Sequence, residues 1–193
     1  LGGRSGNRGR CAQTCRLPYT LYRGYDNIAE GYLLSPKDIA TVDILPQLIE
    51  AGIASLKIEG RMKNPEYVAG VTGIYRKYID MAFDSPATYA VDPQDKKALA
   101  QLFNRGSFTE GYYTSFAGRE MMSVERPKAW GLLIGHVDKY SPERKKVTIR
   151  TREPLVPGDG IEVWTQEEPH VGTNVSRASK AGEVITLTLE GNI

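Results

Sequence analysis

Two thiols stand near the start of the chain in a segment rich in arginine. Cys11 and Cys15 are the only cysteines of the sequence. Neighbouring guanidinium groups favour the thiolate form of a cysteine, which is the form that binds metals and acts as a nucleophile. Three interpretations follow: two ordinary thiols, a local disulfide with a redox role, or two ligands of an iron–sulfur or zinc site. Two cysteines cannot complete a four-cysteine cluster, so the other ligands would have to come from other residue types or from outside this chain.

The same segment carries a strong positive charge. Residues 1–24 contain five arginines, five glycines and no acidic residue, with neither a helical nor a strand period. This composition predicts a loop of positive potential, in which glycines let backbone amides approach a phosphate closely. The candidate residues for binding an anion or a nucleic acid are Arg4, Arg8, Arg10 and Arg16. The alternative is a solvated basic loop or a frayed terminus.

A third candidate site lies in the segment Ile53–Glu59, where apolar and polar residues alternate. The alternation predicts a strand with one polar face that carries Lys57 and Glu59. Ligands of α/β folds bind at the carboxyl ends of strands, and Glu59 and Arg61 stand at that end. We therefore expect Lys57, Glu59 and Arg61 to bind a polar substrate or move a proton at the mouth of a barrel. The alternative is an exposed edge strand.

Helix signals flank this strand. The segment Ser35–Asp38 is typical of a helix start, because a serine that can cap precedes a proline. A short helix is predicted between Asp43 and Gly52, and a longer one begins at the cap Asn64. A further helix runs from Asp92 to about Asn104. This order of helix, strand and helix with short loops favours a parallel α/β layer.

Residues 84–126 are predicted to connect this layer to a second domain. The connector ends in an aromatic and glycine-rich stretch that contains Phe108, Tyr112, Tyr113 and Phe116. Aromatic side chains at such a position either stack on bases or pack between domains.

The second predicted domain, residues 127–193, differs from the first in its predicted secondary structure. Four short strands separated by turn signals are predicted there: Gly131–Val137, Lys146–Arg150, Gly160–Trp164 and Glu183–Leu189. Their number and spacing favour a small β-barrel or sandwich. His136 and His170 stand alone in it and show no catalytic pattern. We expect this domain to bind or position a partner.

Composition and missing patterns narrow the function classes. The chain has 25 basic and 23 acidic residues, which excludes a uniformly basic binder. No apolar run approaches the roughly 18 residues of a membrane span. The sequence signatures of zinc metalloproteases, serine hydrolases and nucleotide-binding loops are absent. The chain begins without Met or a signal-peptide pattern, so we expect part of a longer cytoplasmic protein whose N-terminal portion would be a partner.

Several motifs occur in an order that resembles a known family. The runs RSGNRGRCAQTCRLPY, SPKD, KIEGRMKNPEYVAGVTGIYRKYID and NRGSFTEGYY are similar to the collagenase-like peptidase family U32. The resemblance covers most of residues 1–126. It implies that residues 1–83 are the later part of a TIM-like (β/α) barrel, so that the fold class is α/β followed by a small all-β barrel-like domain.

The resemblance also implies competing activities. The family is named for a collagenase-like protease, whereas similar bacterial members act in hydroxylation of a tRNA uridine or an rRNA cytidine. Those members are thought to carry an iron–sulfur cluster on four cysteines and to depend on prephenate. Cys11 and Cys15 match the two central cysteine positions, and Ala40 stands where the fourth cysteine is expected. Only two of the four expected cysteines are therefore present.

RNA hydroxylation agrees best with these residues. A loop that contains arginines and no acidic residues attracts phosphates, and the β domain could bind RNA by recognising its shape. Proteolysis by a collagenase-like enzyme, with a peptide substrate, is the alternative, although it needs a nucleophile with a base or a metal-bound water. A non-catalytic RNA-binding or scaffold paralogue is the third possibility, which Ala40 favours.

Overall fold

The computed structural model describes residues 2–60, 63–165 and 170–191. The chain divides into two units, Leu1–Leu132 and Leu133–Ile193, so the predicted connector of residues 84–126 lies within the first unit. Within the described ranges, no helix has the length and apolar character that crossing a membrane requires.

The first unit mixes short strands with three helices. In chain order its elements are β1 (Tyr19–Arg23), β2 (Asp26–Gly31), β3 (Asp38–Ile39), α1 (Leu45–Glu50), α2 (Pro65–Asp84), α3 (Pro93–Leu102) and β4 (Phe108–Thr109). Strands β1 and β2 form an antiparallel hairpin, and β3 pairs with β4 in parallel. The predicted (β/α) barrel needs more strand pairings than these two, so it stays a prediction.

Local capping signals define the two longer helices as predicted. The side chain of Asn64 accepts a hydrogen bond from the backbone amide of Tyr67 at 2.9 Å at the start of α2. Asp92 accepts one from the amide of Gln94 at 2.8 Å at the start of α3. A proline follows each cap, where a missing amide hydrogen costs nothing because it has no partner within the helix.

Apolar side chains of α1, α2, α3 and the turn just before α1 form the core of the first unit. Its buried members are Val42, Ile44, Leu45, Leu48, Val71, Tyr78 and Leu99. Tyr78 is 1% exposed, and its hydroxyl donates to Asp95 Oδ2 at 2.6 Å while accepting from the backbone amide of Asp92 at 2.8 Å. This buried hydroxyl therefore ties α2 to the start of α3, and its polar atom is satisfied.

The helix start predicted at Ser35–Asp38 is wrong. Pro36 forms a bridge with Met122, and the backbone amide of Lys37 donates to the carbonyl of Met121 at 2.8 Å. The carbonyl of Ser35 accepts from the amide of Ser123 at 2.6 Å. A helix would need these backbone groups for its own ladder, so pairing with a distant segment has overridden the local capping signal.

The strand predicted over Ile53–Glu59 is also wrong. This segment has no regular secondary structure and belongs to none of the four small sheets of the described residues. Alternation shows which side chains could share a face of a sheet, but a strand also needs a neighbour for its backbone hydrogen bonds. Residues 54–57 are exposed, whereas Ile58 packs against the core.

The second unit consists of antiparallel strands. Its strands are β5 (Gly135–Ser141), β6 (Lys146–Thr151), β7 (Gly160–Val163), β8 (Val171–Asn174) and β9 (Val184–Thr188). Strand β6 lies between β5 and β9, and β7 pairs with β8. Three predicted strands are confirmed to within two residues, whereas β5 begins four residues after the predicted Gly131. Closure into a barrel stays a prediction.

One strand of this unit was not predicted. Strand β8 has the sequence VGTN, in which glycine and asparagine favour strands weakly. It forms because β7 lies beside it, with Val163 opposite Val171. The alternating residues of β6 and β9 bury Val147, Ile149, Ile185 and Leu187 in a common core.

Candidate functional site

The cysteine loop, residues 2–17, is folded on itself by its own polar groups. The guanidinium group of Arg4 donates to the carbonyl oxygens of Arg10 at 3.3 Å and Cys11 at 3.0 Å. Gln13 has a left-handed backbone with φ of 52°, and its amide donates to Cys11 Sγ at 3.3 Å. Cys11 and Cys15 are both free thiols and both exposed. Arg4 therefore braces the loop that presents the two thiols.

Arg16 attaches the cysteine loop to the segment before β3. Its Nη1 atom donates to Ser35 Oγ at 2.5 Å and to the carbonyl of Pro36 at 2.7 Å. Ser35 is completely buried. Burial lowers the pKa of Arg16, and the nearby positive charge of Arg105 lowers it further. Arg16 is thus used as an anchor, and its guanidinium group is less available to an external phosphate than the sequence suggested.

A half-buried ion cluster lies next to this anchor. Arg105 Nη1 is 2.7 Å from Asp38 Oδ1, with side chains that are 20% and 24% exposed, and Arg105 Nε donates to the carbonyl of Pro127 at 3.1 Å. The second oxygen, Asp38 Oδ2, is buried and accepts no hydrogen bond from the described residues. The cluster therefore combines one satisfied and one unsatisfied carboxylate oxygen.

Burial controls the ionisation of this cluster. It raises the pKa of Asp38, although the charges of Arg105, Arg16 and Lys63 act in the opposite direction. Burial and the charge of Arg105 also lower the pKa of Lys63, whose ammonium group lies over the ring of Phe103. The ion cluster thus consists of Asp38 and three cations whose charges act on it, Arg16, Lys63 and Arg105, and its balance is positive.

Sequence reasoning missed the members of this cluster other than Arg16. Asp38 and Arg105 are 67 residues apart in the chain, and Lys63 precedes α2 between them. Asp38 and Arg105 do stand in the SPKD and NRGSFTEGYY motifs, which was the available signal. Their position there did not reveal that the two residues are partners.

The predicted arginines separate into two pairs. Arg4 and Arg16 make the hydrogen bonds described above, within the loop and to its anchor. Arg8 and Arg10 are exposed, and no side-chain hydrogen bond or ion pair is seen for them in the described ranges. Arg8 and Arg10 are therefore the arginines of this loop that can reach an external anion.

The structure does not build the predicted Lys57 and Glu59 site. The two charged groups are 4.0 Å apart, with side chains that are 88% and 73% exposed. Because water solvates both groups and no strand directs them inward, the expected orientation into a barrel mouth is wrong for this structure. Arg61 lies outside the described residues. The catalytic role of these three residues stays a prediction.

The described residues do not fit a complete four-cysteine cluster. Within residues 2–60, 63–165 and 170–191, no group of three or more His, Cys, Asp or Glu residues is placed to hold a metal ion. Ala40 offers only a methyl group, and its amide donates to the carbonyl of Thr109 at 3.0 Å. The chain thus supplies two exposed thiols and not four.

Comparison with known proteins identifies the family. The sequence profile of peptidase family U32 matches residues 1–123, which include the cysteine loop, Asp38 and Arg105. The chain belongs to peptidase family U32. No solved structure matches it.

Individual U32 relatives differ in how much of the chain they match. The 23S rRNA 5-hydroxycytidine C2501 synthase of Escherichia coli is 35% identical over 94% of this chain and 28% of its own length. The tRNA hydroxylation protein P1 of Bacillus subtilis is 34% identical over 86% of this chain and 42% of its own length. A collagenase of Porphyromonas gingivalis is 40% identical over 56% of this chain and 27% of its own length. The chain therefore spans less than half the length of these relatives.

Proposed function

We propose that this U32 chain belongs to a cytoplasmic enzyme that hydroxylates a pyrimidine of RNA, either a tRNA uridine or an rRNA cytidine. The observation that carries the proposal is the extent of the alignments. Two relatives named for RNA modification, the rRNA synthase and the tRNA hydroxylation protein P1, match 94% and 86% of the chain, so these two alignments reach into the second unit. The collagenase match covers only 56%.

The cysteine loop supports a role in RNA binding. Arg8 and Arg10 are exposed on a loop without acidic residues, and Arg4 and Arg16 hold that loop in shape. A cation that contacts a phosphate releases condensed counterions, so its contribution falls as the salt concentration rises. We assign phosphate contact to Arg8 and Arg10, and positioning of the loop to Arg4 and Arg16.

An iron–sulfur cluster is part of the proposal only in a limited form. Cys11 and Cys15 are free and exposed, so they could serve as two thiolate ligands. Such a cluster would supply electron-transfer chemistry that protein side chains lack. The described residues provide no further cysteine, so the other ligands have to come from elsewhere. Iron and sulfide analysis of the anaerobically purified intact protein and its C11S/C15S variant tests this: the variant should lose the metal.

Proteolysis is the second candidate function. The 40% identity to the collagenase, within part of the chain, is the observation that favours it. Both histidines, His136 and His170, belong to the second unit, so a cysteine nucleophile in the cysteine loop has no histidine base within the first unit of this chain.

A scaffold paralogue, consistent with Ala40, would bind RNA without modifying it.

Mass spectrometry of RNA nucleosides tests the proposed reaction. A strain that lacks the intact protein should lose one hydroxylated pyrimidine from tRNA or rRNA, and the wild-type gene should restore it. If the nucleosides are unchanged while pure protein cleaves gelatin, the protease interpretation replaces the proposal. RNA binding with unchanged nucleosides would identify a scaffold.

Charge reversal in the cysteine loop tests the binding role. The R8E/R10E variant should bind RNA at least tenfold more weakly, because it loses two phosphate contacts and adds repulsion. The matched control is R23E/K128E, which makes the same charge change at two exposed positions of the first unit outside the cysteine loop. An equal loss in both variants would show that net charge matters and the loop does not.

A further inference from the structure

A pocket of about 490 Å³ lies against β3 and the chain that follows β4. Its lining includes Lys37, Ile39, Tyr112, Tyr113 and Met121, all of which belong to the first unit. The volume is within the range of pockets that hold small organic groups. Nothing in the proposed function so far uses this space.

The pocket is separate from the ion cluster because of the alternation of β3. Successive side chains of a strand point to opposite faces. Asp38 meets Arg105 on one face, whereas its neighbours Lys37 and Ile39 line the pocket on the other. Ile39 is 60% exposed, so an apolar surface is open to a ligand there.

A hydrogen-bonded turn presents the two tyrosines. Gly111 has a φ of +65°, which permits the turn, and its amide donates to Thr109 Oγ1 at 3.0 Å. Thr114 Oγ1 donates to Glu110 Oε2 at 2.6 Å, which also occupies the nearby carboxylate. Tyr112 and Tyr113 remain 67% and 57% exposed. The turn thus holds two aromatic rings at the pocket while leaving them largely uncovered.

One cation, Lys37, stands in a lining that is otherwise mainly apolar and aromatic, a combination that suits a base on the rings with a phosphate beside it. Lys37 lines the pocket, and so does Pro36, whose carbonyl accepts the hydrogen bond from Arg16. The anchor of the cysteine loop is therefore attached at one edge of the pocket. Aromatic rings beside a basic surface are the usual arrangement for single-stranded nucleic acid, since bases stack on the rings and cations meet the phosphates.

We propose that this pocket takes one unstacked base of the RNA, held against Tyr112 and Tyr113, while the adjacent phosphates meet Lys37 and the cysteine loop. This inference rests on the proposed function, because it requires an RNA ligand. It adds a binding site for the base to the phosphate contacts assigned to Arg8 and Arg10.

Fluorescence anisotropy with the intact protein and a labelled oligouridylate of about 12 nucleotides tests the pocket. The Y112A/Y113A variant should bind about tenfold more weakly, and Y112F/Y113F should bind like the wild type because phenylalanine also stacks. The matched control is Phe116→Ala, since Phe116 belongs to the same segment and is fully exposed but does not line the pocket. Thermal unfolding of each variant checks that the fold is kept.

An abasic oligomer of the same length separates base binding from phosphate binding. Wild type and Y112A/Y113A should bind it equally, because it carries the phosphates without the bases. Equal binding of the uridylate by wild type and Y112A/Y113A would overturn the pocket and leave the proposed function standing, as would an equal loss on both probes. Gelatin that displaces the uridylate only when both tyrosines are present would indicate a peptide groove instead. A wild-type protein that binds neither probe would also overturn the pocket, and the loss or retention of the hydroxylated nucleoside would decide the proposed function separately.

Discussion

The arginines of the first unit serve two different purposes. Arg16 and Arg105 are partly buried and bind oxygen atoms of the protein, namely those of Ser35, Pro36, Asp38 and Pro127. Arg8 and Arg10 are exposed on the cysteine loop. The same type of side chain therefore binds oxygen atoms of the protein in one pair and is available to an external anion in the other. Burial and partners, rather than residue type, distinguish the two roles, and variants of each pair should differ accordingly.

Loss of Arg105 should have the largest effect on stability. Arg105→Ala leaves the partly buried carboxylate of Asp38 without its 2.7 Å partner, and we expect the free energy of unfolding to fall by about 3 kcal/mol. Urea unfolding measures this change. Adding Asp38→Asn should recover part of the loss, because the unpaired charge is then removed. Additive losses in the double variant would show that the two residues do not act as a pair.

Loss of Arg16 should have an intermediate effect. Arg16→Ala removes the hydrogen bonds to Ser35 and Pro36, which should cost about 1–2 kcal/mol and release the cysteine loop from its anchor. Amide hydrogen exchange within residues 2–17 should then become faster, whereas Arg8→Ala should leave that exchange unchanged. Similar rates in both variants would mean that Arg16 does not hold the loop.

The ionisation of Asp38 should make the ion cluster sensitive to pH. Burial raises the pKa of Asp38 above its ordinary value of 3.8, so the folded protein binds this proton more tightly than the unfolded chain. The stabilisation that protonated Asp38 provides is complete when the pH is below 3.8, the pKa of the unfolded chain. It is lost as the pH rises through the higher pKa of Asp38 in the folded protein. Relative to Asp38→Asn, wild-type stability should therefore decrease from about pH 4 upward in urea unfolding. A relative increase would contradict the direction of this shift.

Loss of the exposed pair should have the smallest effect on the fold. The R8A/R10A variant should unfold within about 0.5 kcal/mol of the wild type, because neither guanidinium group has a resolved partner in the described part of the chain. The slope of log affinity for RNA against log salt should nevertheless decrease by about 2. A destabilised variant with an unchanged slope would reverse the comparison between the two pairs.

Several elements followed from neighbouring residues alone. The caps Asn64 and Asp92, each followed by a proline, predicted the starts of α2 and α3, which the structure confirms. The alternation in β6 and β9 likewise predicted strands that the structure contains. These signals succeed because a cap or an amphipathic period depends on residues only a few positions apart.

Alternation of apolar and polar residues is a local signal that does not by itself make a strand. Lys146–Thr151 and Ile53–Glu59 both alternate between apolar and polar residues, but only the first is a strand. Strand β6 has β5 on one side and β9 on the other, whereas Ile53–Glu59 belongs to none of the sheets of the described residues. The pattern specifies two faces and leaves the supply of hydrogen-bonding neighbours open.

The sequence by itself determined the family motifs, the basic cysteine loop with its two thiols, and the capped helices. Only the tertiary structure decided that Ser35–Asp38 leads into a strand, that Arg16 is an anchor and that Asp38 meets Arg105. The physical reason is distance along the chain. Caps and periods are local, whereas strand pairing and the solvation of a buried charge depend on groups as far apart as the 67 residues between Asp38 and Arg105.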